Sequence, residues 1–575
     1  MRKTLVPRPV PPEALSGEEL HPLLRRLYAA RGVTSASELD YQLGALARPQ
    51  RLRDIDRAAR YLLDAIEADQ RILIVGDFDA DGATSTAVSI LGLQMLGARQ
   101  LDYRVPSRFT DGYGLTPGII EGLRDESRLP DLLLTVDNGI SAHEGVAAAR
   151  EAGIEVVVTD HHLPGETLPD ASAIVNPNQP GCEFPSSGIA GVAVVFYVLS
   201  ALRSLQREAG WFQEKEPSLG ALLDLVALGT VADVVPLDHN NRILVEQGLK
   251  RIRAGRMRPG IRALLDIAGH DPATIEASDL GFTVGPRLNA AGRLDDMSVG
   301  IECLLSEDEH RAYELARELD ALNRERRSIE TGMKEEAEKA VEALALESEE
   351  LPSALCLFDE TWHQGVIGLL ASRLKEKFHR PVIAFALDDD GDLKGSARSI
   401  PGLHIRDLLA ALDTREPGLL TRYGGHAMAA GMSLARDQLE RFRSTLNTLI
   451  EERTDPELFA PEIYTDGELE PDHMTLDTAR LLAGAGPWGQ GFPEPVFSGD
   501  FRLVEQRIVG ERHLKVLIQV PGMDQLVDGI AFNVDTDVWP SRGEWARLAY
   551  QLDVNRYKGR ERLQFRVIYL ESLGE

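Results

Sequence analysis

The chain has 575 residues, which is too long for one hydrophobic core and predicts three or four domains. Its formal net charge of −29 argues against a protein that coats nucleic acid through general electrostatics, because such affinity comes from Lys and Arg neutralising phosphates. Any binding of nucleic acid must then be local. The three cysteines, Cys182, Cys303 and Cys356, have neither metal nor redox spacing, so we expect each to be buried in a protein of the reducing cytoplasm.

Residues 1–50 predict a small helical lead-in, with Arg25, Arg26 and Arg31 on its surface. The opening Met-Arg-Lys is followed by prolines instead of the apolar core of a signal peptide. The sequence shows no apolar span of membrane length. We therefore expect no association with a membrane.

The next segment combines an apolar run with three carboxylates. Residues 72–75 (ILIV) predict a strand buried on both faces, and the motif DFDADG at 77–82 places Asp77, Asp79 and Asp81 directly after it. A helix-like stretch follows at residues 84–96. Open α/β sheets bind ligands at the carboxyl ends of their strands. Three carboxylates this close repel one another, and a divalent cation is the usual way to neutralise them.

Two other interpretations compete for this motif. A calcium loop of the EF-hand type begins in the same way, but its twelfth position requires a glutamate and this chain has Val88 there. No helix precedes the aspartates, as that loop requires. A solvated acidic turn remains an alternative for the motif taken alone.

The same pattern occurs twice more along the chain. LLLTVDNG at 132–139 ends in Asp137, and VVVTDHH at 156–162 ends in Asp160, His161 and His162. Amphipathic stretches at 116–123 and 142–152 lie between these runs, and the alternation predicts βαβ units in a doubly wound parallel sheet. The carboxyl ends of all three strands would then face one crevice.

A further acidic residue, Asp233, lies in the almost wholly apolar segment 225–236. Burying a lone carboxylate costs several kcal/mol, so Asp233 needs a partner, and a shared metal supplies one. Aspartates with imidazole and no nearby cysteine suit Mn²⁺ or Mg²⁺ better than structural zinc. Two such ions about 3.5–4 Å apart activate a water and stabilise the attacking and leaving oxygens of a phosphoryl group. The predicted chemistry is hydrolysis of a phosphoester or phosphoanhydride.

Two segments of the middle of the chain are strongly charged. Residues 250–262 contain six basic residues and no acidic one, which fits either a path for a nucleic-acid strand or a solvated helix face. Residues 306–350 carry apolar side chains at helical spacing without a proline, which predicts a long linker helix.

A second α/β unit is predicted from residue 351 to about 460, with strands at 354–358 and 381–386. Its polar strings are rich in glycine: KGSARS at 394–399 and YGGHAMAAG at 423–431. Glycines let a backbone approach a phosphate, to which Ser396, Arg398, Ser399 and His426 can donate hydrogen bonds. Tight turns with a hydrogen-bonded histidine are the alternative.

The remainder of the chain predicts a β-domain. Five short runs at 501–504, 514–520, 528–532, 546–552 and 563–569, separated by turn signals, fit an OB fold. Arg556, Lys558, Arg560, Arg562 and Arg566 cluster around Tyr557 and Phe565, and such a mixture suits single-strand binding by charge and stacking. A purely structural β-domain is the alternative.

The ordered set DFDADG, VDNG, TDHH and GTVADVVPL resembles the DHH phosphoesterase superfamily. GPRLNAAGR (285–293), KGSARS, YGGHAMAAG and PWGQGFPEPVF (487–497) narrow the resemblance to its bacterial single-strand-specific DNA exonucleases. The likeness runs from about residue 40 to the C-terminus. It implies an α/β protein with these parts: an N-terminal helical lead-in (1–50), a parallel-sheet DHH catalytic domain (51–305), a linker helix (306–350), a DHH-associated domain (351–460) and an OB-fold β-barrel (461–575).

The resemblance also implies roles for individual residues. Asp79 and Asp137 would bind one metal, with Asp77 close to it. The second metal would be bound by Asp81, Asp137, His161 and Asp233, so that Asp137 bridges the two ions. Some relatives carry a histidine four residues before the position of Asp79, whereas this chain has Val75, so the first metal lacks one expected ligand.

Around the metals, His162 would contact the scissile phosphate or protonate the leaving oxygen, and Asp160 would orient its neighbours. Nucleic-acid contacts are implied on both sides of the substrate. On the catalytic side they are Arg287, Asn289 and Arg293. On the DHH-associated side they are Ser396, Arg398, Ser399, Gly425 and His426.

The function implied is a metal-dependent 5′→3′ exonuclease that degrades single-stranded DNA to mononucleotides in repair and recombination, as a monomer working with a single-strand-binding protein and a DNA helicase. A DHH-type phosphodiesterase of short oligonucleotides or cyclic dinucleotides, or a pyrophosphatase, is the alternative within the superfamily. Such relatives generally lack the C-terminal β-domain, which counts against them. A non-catalytic DNA-binding scaffold is disfavoured because every acidic motif is intact.

Overall fold

A computed structural model describes residues 3–11, 20–107, 112–213, 215–347, 351–388, 391–536, 538–541, 543–557 and 559–573, with only the backbone given at 343–347 and 557. Contacts divide the chain into two compact units. One comprises Leu322–Ile463 with the first residues through Val6, and the other comprises Pro7–Ala321 and Tyr464–Glu575. From Pro7 onward, the N-terminal lead-in thus shares a unit with the first α/β domain and the C-terminal barrel.

The strands are β1 (Thr4–Pro7), β2 (Ile72–Val75), β3 (Leu101–Arg104), β4 (Leu132–Val136), β5 (Glu155–Thr159), β6 (Ala173–Val175), β7 (Leu355–Phe358), β8 (Val382–Leu387), β9 (Leu393–Arg398), β10 (Arg422–Gly425), β11 (Ala429–Leu434), β12 (Glu462–Thr465), β13 (Phe497–Val509), β14 (His513–Gln519), β15 (Leu526–Ala531), β16 (Trp545–Tyr557) and β17 (Arg560–Ser572).

The α-helices are α1 (Pro22–Ala29), α2 (Ile55–Glu67), α3 (Ala80–Met95), α4 (Pro117–Asp125), α5 (His143–Glu151), α6 (Gly191–Glu208), α7 (Leu223–Ala232), α8 (His239–Arg253), α9 (Pro259–Ala268), α10 (Ala277–Asp279), α11 (Gly285–Leu294), α12 (Ser298–Leu305), α13 (Glu309–Glu347), α14 (Ile367–Phe378), α15 (Ile405–Arg415), α16 (Leu439–Glu451) and α17 (Leu476–Ala483). A π-helix, Leu280–Val284, joins α10 to α11. No helix within the described ranges is long and apolar enough to cross a membrane.

The first sheet is parallel throughout, with strand order β3-β2-β4-β5-β6. All residues of β2 and β4 are buried, as expected for strands covered on both faces. Leu73 and Val75 share a core with apolar side chains of α4 and α5, such as Ile119 and Val146. The predicted parallel sheet is confirmed, and it brings the carboxyl ends of β2, β4 and β5 side by side.

The second sheet, in the other unit, has the order β10-β11-β9-β8-β7. β7 and β8 are parallel, and the remaining pairs are antiparallel. Polar side chains of α16 cover the outer edge of β7. Asn447 Oδ1 accepts from the amide of Ala354, and Arg443 donates to the carbonyl of Cys356. An edge strand covered in this way offers little template for pairing with another chain.

The C-terminal strands form a closed barrel in the order β13-β14-β15-β17-β16, so the predicted OB fold is confirmed. β15 and β17 are parallel and the other pairs antiparallel. Its core is aromatic, because the rings of Tyr550 and Phe565 stack with centroids 4.3 Å apart and Phe501 lies edge-on to Tyr550. Phe565, predicted beside the basic cluster as a stacking residue, is therefore fully buried.

One prediction about the lead-in is wrong. Arg31, predicted on the surface, has a side chain only 1% exposed and forms a two-pronged ion pair with Asp466 at 2.8 and 3.0 Å. Its Nε also donates to the carbonyl of Pro493. The prediction was wrong because both partners lie at the entry to the barrel, more than 400 residues along the chain. The lead-in is thereby fastened to the C-terminal domain.

Candidate metal centre

The site is assembled at the carboxyl edge of the first sheet. Asp77 follows β2, Asp137 follows β4 and Asp160 follows β5, and these three strands are neighbours. Ligand atoms of several side chains then come within 4.8 Å of one another in three overlapping groups. The groups are Asp77, Asp79 and Asp137; Asp81, His161 and Asp233; and Asp137, His161 and His162. All the residues predicted as metal ligands are therefore brought together.

Asp79 and Asp81 are held by backbone amides at helix N-termini. Asp79 caps α3, and its Oδ1 accepts from the amides of Asp81 and Gly82 at 2.9 and 3.0 Å. Asp81 lies in the first turn of that helix, and its carboxylate accepts from the amides of Gly191 and Val192 at the start of α6, at 2.6 and 3.0 Å. Helix N-termini favour anions, so both carboxylates have fixed positions.

Asp137 occupies the centre of the cluster in a left-handed backbone conformation, with φ of 62°. Asx residues tolerate this region better than most, yet it still costs some stability and is typical of functional sites. Its buried Oδ1 accepts no hydrogen bond within the described part of the chain. The same oxygen lies 3.1 Å from His161 Nε2, which in turn lies 3.5 Å from Asp233 Oδ2.

Asp160 is buried and acts as an acceptor for its neighbours. Its Oδ1 accepts from the amides of His161 and His162 and from Nδ1 of His162 at 2.7 Å, and its Oδ2 accepts from the amide of Ile140. Burial lowers the pKa of His162, but the hydrogen bond and the charge of Asp160, with Asp233 and Asp77, outweigh it and raise that pKa to about 9. The same contacts hold the pKa of Asp160 low despite its burial.

The sequence analysis missed three residues that shape this site. Asn176 and Asn178 donate from their side-chain amides to the carbonyls of His162 and His161, at 2.9 and 2.6 Å, and so fix the backbone of the two histidines. Tyr113 places its hydroxyl 3.4 Å from each ring nitrogen of His162 and 3.4 Å from the carbonyl of Asp137. The NPN string after β6 was the available signal for the asparagines, whereas nothing in the spacing pointed to Tyr113.

The electrostatics of the cluster fit a divalent cation. Burial and the charges of neighbouring aspartates, led by Asp81, raise the pKa of Asp137 and of Asp233 well above their ordinary values. Burial and Asp79 raise the pKa of Asp81 to about 7. Carboxylates that oppose one another's ionisation in this way become stable when a cation lies between them. The donor set of carboxylate and imidazole, with Asp137 Oδ1 at its centre, suits Mn²⁺ or Mg²⁺.

Comparisons with known proteins agree with this geometry. Residues 71–230 match the model of the DHH family, N-terminal domain, residues 351–452 the DHHA1 domain, and residues 465–569 the RecJ OB domain. The chain is 56% identical over 550 residues to the single-stranded-DNA-specific exonuclease RecJ of Salmonella typhimurium, and the match covers 95% of each chain. This chain belongs to the RecJ family.

Other members of the RecJ family are also similar to this chain in sequence or in structure. The protein of Escherichia coli is also 56% identical, over 95% of both chains. The crystal structure of RecJ from Thermus thermophilus in complex with Mn²⁺ superposes with a TM-score of 0.80 at 30% identity, covering 100% of this chain and 80% of that one. The complex of the same protein with Mg²⁺ gives a TM-score of 0.75 at 29% identity.

The nucleic-acid residues predicted on the catalytic side are largely engaged in internal contacts. Arg287 is buried, donates to Asp320 on α13 at 3.0 Å and to the carbonyl of Thr283. Asn289 accepts from the amide of Ala80 through its Oδ1 at 2.8 Å, and so braces the DFDADG segment. Arg293 is half-buried at the end of α11.

The residues predicted on the DHHA1 side lie in the other unit, on β9 and the β10–β11 hairpin. Arg398 donates to Ser396 Oγ at 3.1 Å, and both side chains are half-buried. Ser399 is fully buried and donates to the carbonyl of Leu403. Gly425 has a φ of 142°, and a Cβ there would lie 2.4 Å from the carbonyl of Ala429, so the hairpin requires glycine. His426 follows it on the exposed turn.

The basic stretch 250–262 is mostly paired. Lys250 and Arg253 contact Glu246, Arg251 contacts Asp224 and Arg262 contacts Asp266. Arg258 donates to the carbonyls of Leu304, Leu305 and Ser306. Of the two interpretations of this stretch, these contacts favour helix faces stabilised by ion pairs over a path for DNA.

Proposed function

We propose that this chain is a metal-dependent exonuclease that degrades single-stranded DNA to mononucleotides in the 5′→3′ direction and serves DNA repair and recombination. The observation that carries the proposal is the cluster of aspartates and histidines around Asp137 Oδ1. It occurs in a chain 56% identical, over nearly its whole length, to proteins named single-stranded-DNA-specific exonuclease. The barrel in the same unit gives such an enzyme a surface for holding a strand.

We propose two divalent ions, Mn²⁺ or Mg²⁺, as cofactors. Asp77, Asp79 and Asp137 would hold one ion, and Asp81, His161 and Asp233, with Asp137 as the bridge, would hold the other. The groups of ligand atoms support this division, because the first ion has one group of its own and the second ion has another. The third group supports the bridge, because it brings Asp137 together with His161, a proposed ligand of the second ion. When bound, such ions supply an activated water and stabilise charge on the phosphoryl oxygens.

His162 would protonate the leaving oxygen. Its Nδ1 is held by Asp160 at 2.7 Å, which orients the ring and leaves Nε2 as the nitrogen that delivers a proton. The hydrogen bond and charge of Asp160, which is not a proposed metal ligand, raise the pKa of this imidazole against the effect of burial. Asp160 would act only through this ring and the backbone it holds.

For DNA contacts we retain Arg293, Ser396, Arg398, Gly425 and His426, since they lie on or near surfaces of their units. The internal bonds of Arg287, Asn289 and Ser399 support a different role, in which each stabilises the structure of its own unit.

We further propose that the protein is a cytoplasmic monomer that works with a single-strand-binding protein and a DNA helicase, and that its domains divide at residues 50, 305, 350 and 460. The segments matched by the family models, 71–230, 351–452 and 465–569, each fall within one proposed domain.

Cleavage by the wild-type protein and Asp137→Asn tests the proposal. Single strands blocked at one end or the other, a paired duplex and a cyclic dinucleotide would be incubated with Mn²⁺ or Mg²⁺. We expect mononucleotides from single strands with a free 5′ end, and a loss of several orders of magnitude in Asp137→Asn, because a bridging ligand is removed. Asp170→Asn is the control, since that side chain is 93% exposed. Faster cleavage of the cyclic dinucleotide than of DNA would favour the alternative hydrolase.

A further inference from the structure

Phe282 is the most exposed of the large apolar side chains in the described part of the chain, at 80%. It lies on the π-helix Leu280–Val284, and π-helical turns are rare and concentrated at functional sites. A phenylalanine exposed to water does not stabilise the fold. An exposed apolar patch is typical of a surface that binds a ligand or another molecule.

This π-helix is fixed against the metal centre. A Cβ on Gly285, its next residue, would lie 3.1 Å from Cβ of Ala232, the residue before the metal ligand Asp233. Beyond Asp233, Val234 is 63% exposed and has a φ of 61°, a conformation that β-branched residues rarely adopt. Strain of this kind persists where the surrounding structure imposes it, and it is typical of functional sites.

Phe282 and Val234 line the same cavity, of about 370 Å³. Its other apolar walls include Val231, Leu237, Leu249 and Trp488. This volume is in the range of small-ligand pockets, which run from about 300 to 1,000 Å³. An apolar, partly aromatic cavity therefore opens beside a ligand of the metal centre.

The charged groups of the wall indicate what enters it. Glu246, Glu276 and Glu494 line the cavity with Arg253, which is already bonded to a backbone carbonyl at 2.9 Å and lies 3.7 Å from Glu246. Glu494 also forms an ion pair with Arg566 at 2.5 Å, so both cations near the wall already have partners. Carboxylates repel a phosphate but accept hydrogen bonds from amino groups. The wall thus favours a flat, uncharged ring that carries amino groups over the phosphodiester backbone.

We infer that Phe282 and the cavity behind it hold a nucleobase of the strand whose phosphate lies at the metal centre, an inference that rests on the proposed function. The base would stack on the Phe282 ring and cover Val234, while the phosphates stay outside the acidic wall. Stacking is nearly independent of base identity, because every base has a π-face, so this subsite would bind strands of any sequence.

A double-substitution cycle between protein and DNA tests the inference. Binding of a short 5′-phosphorylated single strand would be measured by fluorescence anisotropy without metal, for wild type and Phe282→Ala. The same strand would then be used with one abasic residue, moved along it position by position. Phe282→Ala should raise the Kd of the intact strand about ten-fold to a hundred-fold, the range that loss of one base stack gives. For the strand abasic at the matching position, the two proteins should bind alike.

Two variants complete the design. Phe282→Tyr keeps a ring and should restore binding, while Leu43→Ala removes another exposed apolar side chain, 43% exposed in the lead-in, and should leave binding unchanged. Equal Kd values for wild type and Phe282→Ala would overturn the inference. The inference would also be overturned if Phe282→Ala raised the Kd by the same factor for every position of the abasic residue. That result is expected if the patch binds a protein segment or merely supports the fold. Because binding is read without cleavage, an inactive wild-type protein would refute the proposed nuclease and leave this test intact.

Discussion

A methyl group added at Gly191 should disable the metal centre without removing any ligand. Gly191 is the first residue of α6, and its amide donates to Asp81 Oδ2 at 2.6 Å. A Cβ at this position would lie 2.6 Å from Asp137 Cβ and 2.7 Å from Asp137 Oδ1. Ordinary contacts begin near 3.4 Å, so the carboxylate and the helix must separate by about 0.7 Å.

A displacement of this size should affect metal binding, the cleavage rate and the folding free energy. Metal–ligand distances tolerate about ±0.2 Å, so the two ligands that meet at Gly191 cannot both keep their places in Gly191→Ala. We expect the Mn²⁺ concentration for half-maximal cleavage to rise at least ten-fold and the maximal rate to fall by about a hundred-fold. Overpacking of this kind costs about 1–3 kcal/mol of folding free energy.

Cleavage of an end-labelled single strand across a Mn²⁺ titration measures the first two effects, and thermal unfolding measures the third. Gly122→Ala is the matched control, because a Cβ on that residue of α4 meets nothing within 4 Å. The control should keep full activity and gain about 0.4–1 kcal/mol, as glycine-to-alanine changes in compatible positions do. If Gly191→Ala retains the wild-type metal dependence and rate, the placement of Asp81 and Asp137 around α6 is wrong.

Two further predictions concern parts of the molecule away from the metals. Arg31→Met should destabilise the protein by about 3–5 kcal/mol, because it leaves the carboxylate of Asp466 buried without its two-pronged ion pair. Arg104→Met is the control and should change the unfolding midpoint little, because the ion pair of Arg104 with Glu126 is 41% exposed. Burial, with Glu494 and other carboxylates nearby, raises the pKa of Glu276 from 4.5 to about 7. The folded state therefore holds this proton more tightly, and stability falls as pH rises from about 4.5 to 7. Glu276→Gln should remove that loss of stability. In unfolding experiments at pH 8, the variant should be more stable than wild type by on the order of 1–3 kcal/mol. At pH 5, the variant should show no such gain over wild type. Equal pH profiles would contradict the assignment.

Several residues of the candidate metal centre could be predicted from the sequence because they are polar residues that follow or interrupt apolar runs. Asp77, Asp137 and Asp160 each follow a buried strand, and parallel strands place such residues at one edge of a sheet. Asp233 was recognisable by the cost of burying a lone carboxylate. In the structure its side chain is 23% exposed at the end of α7, and its Oδ2 lies 3.5 Å from His161 Nε2. Asp233 therefore joins the cluster although its burial is incomplete, and the shared metal stays a prediction.

Residues with distant partners could not be assigned in this way. Arg31 and Arg287 both carry a charge in a polar context, which favours a surface or a DNA contact when only neighbours along the chain are known. Their carboxylate partners are Asp466, which lies 435 residues away, and Asp320, which lies 33 residues away on α13. No local pattern encodes such a pairing, because it depends on how whole elements pack.

The groups that hold the ligands are invisible in a sequence for a different reason: many of them are backbone atoms. Asp79 and Asp81 accept from amides at the starts of α3 and α6, and Asp160 accepts from the amides of its own loop and of Ile140. Every residue except proline carries such an amide, so its identity says nothing about its use. Asp137 Oδ1, in contrast, accepts no hydrogen bond from the described residues, although it is buried at the centre. The backbone thus fixes the outer carboxylates but not the oxygen at the centre, which is the arrangement we expect if Asp137 bridges two ions as proposed.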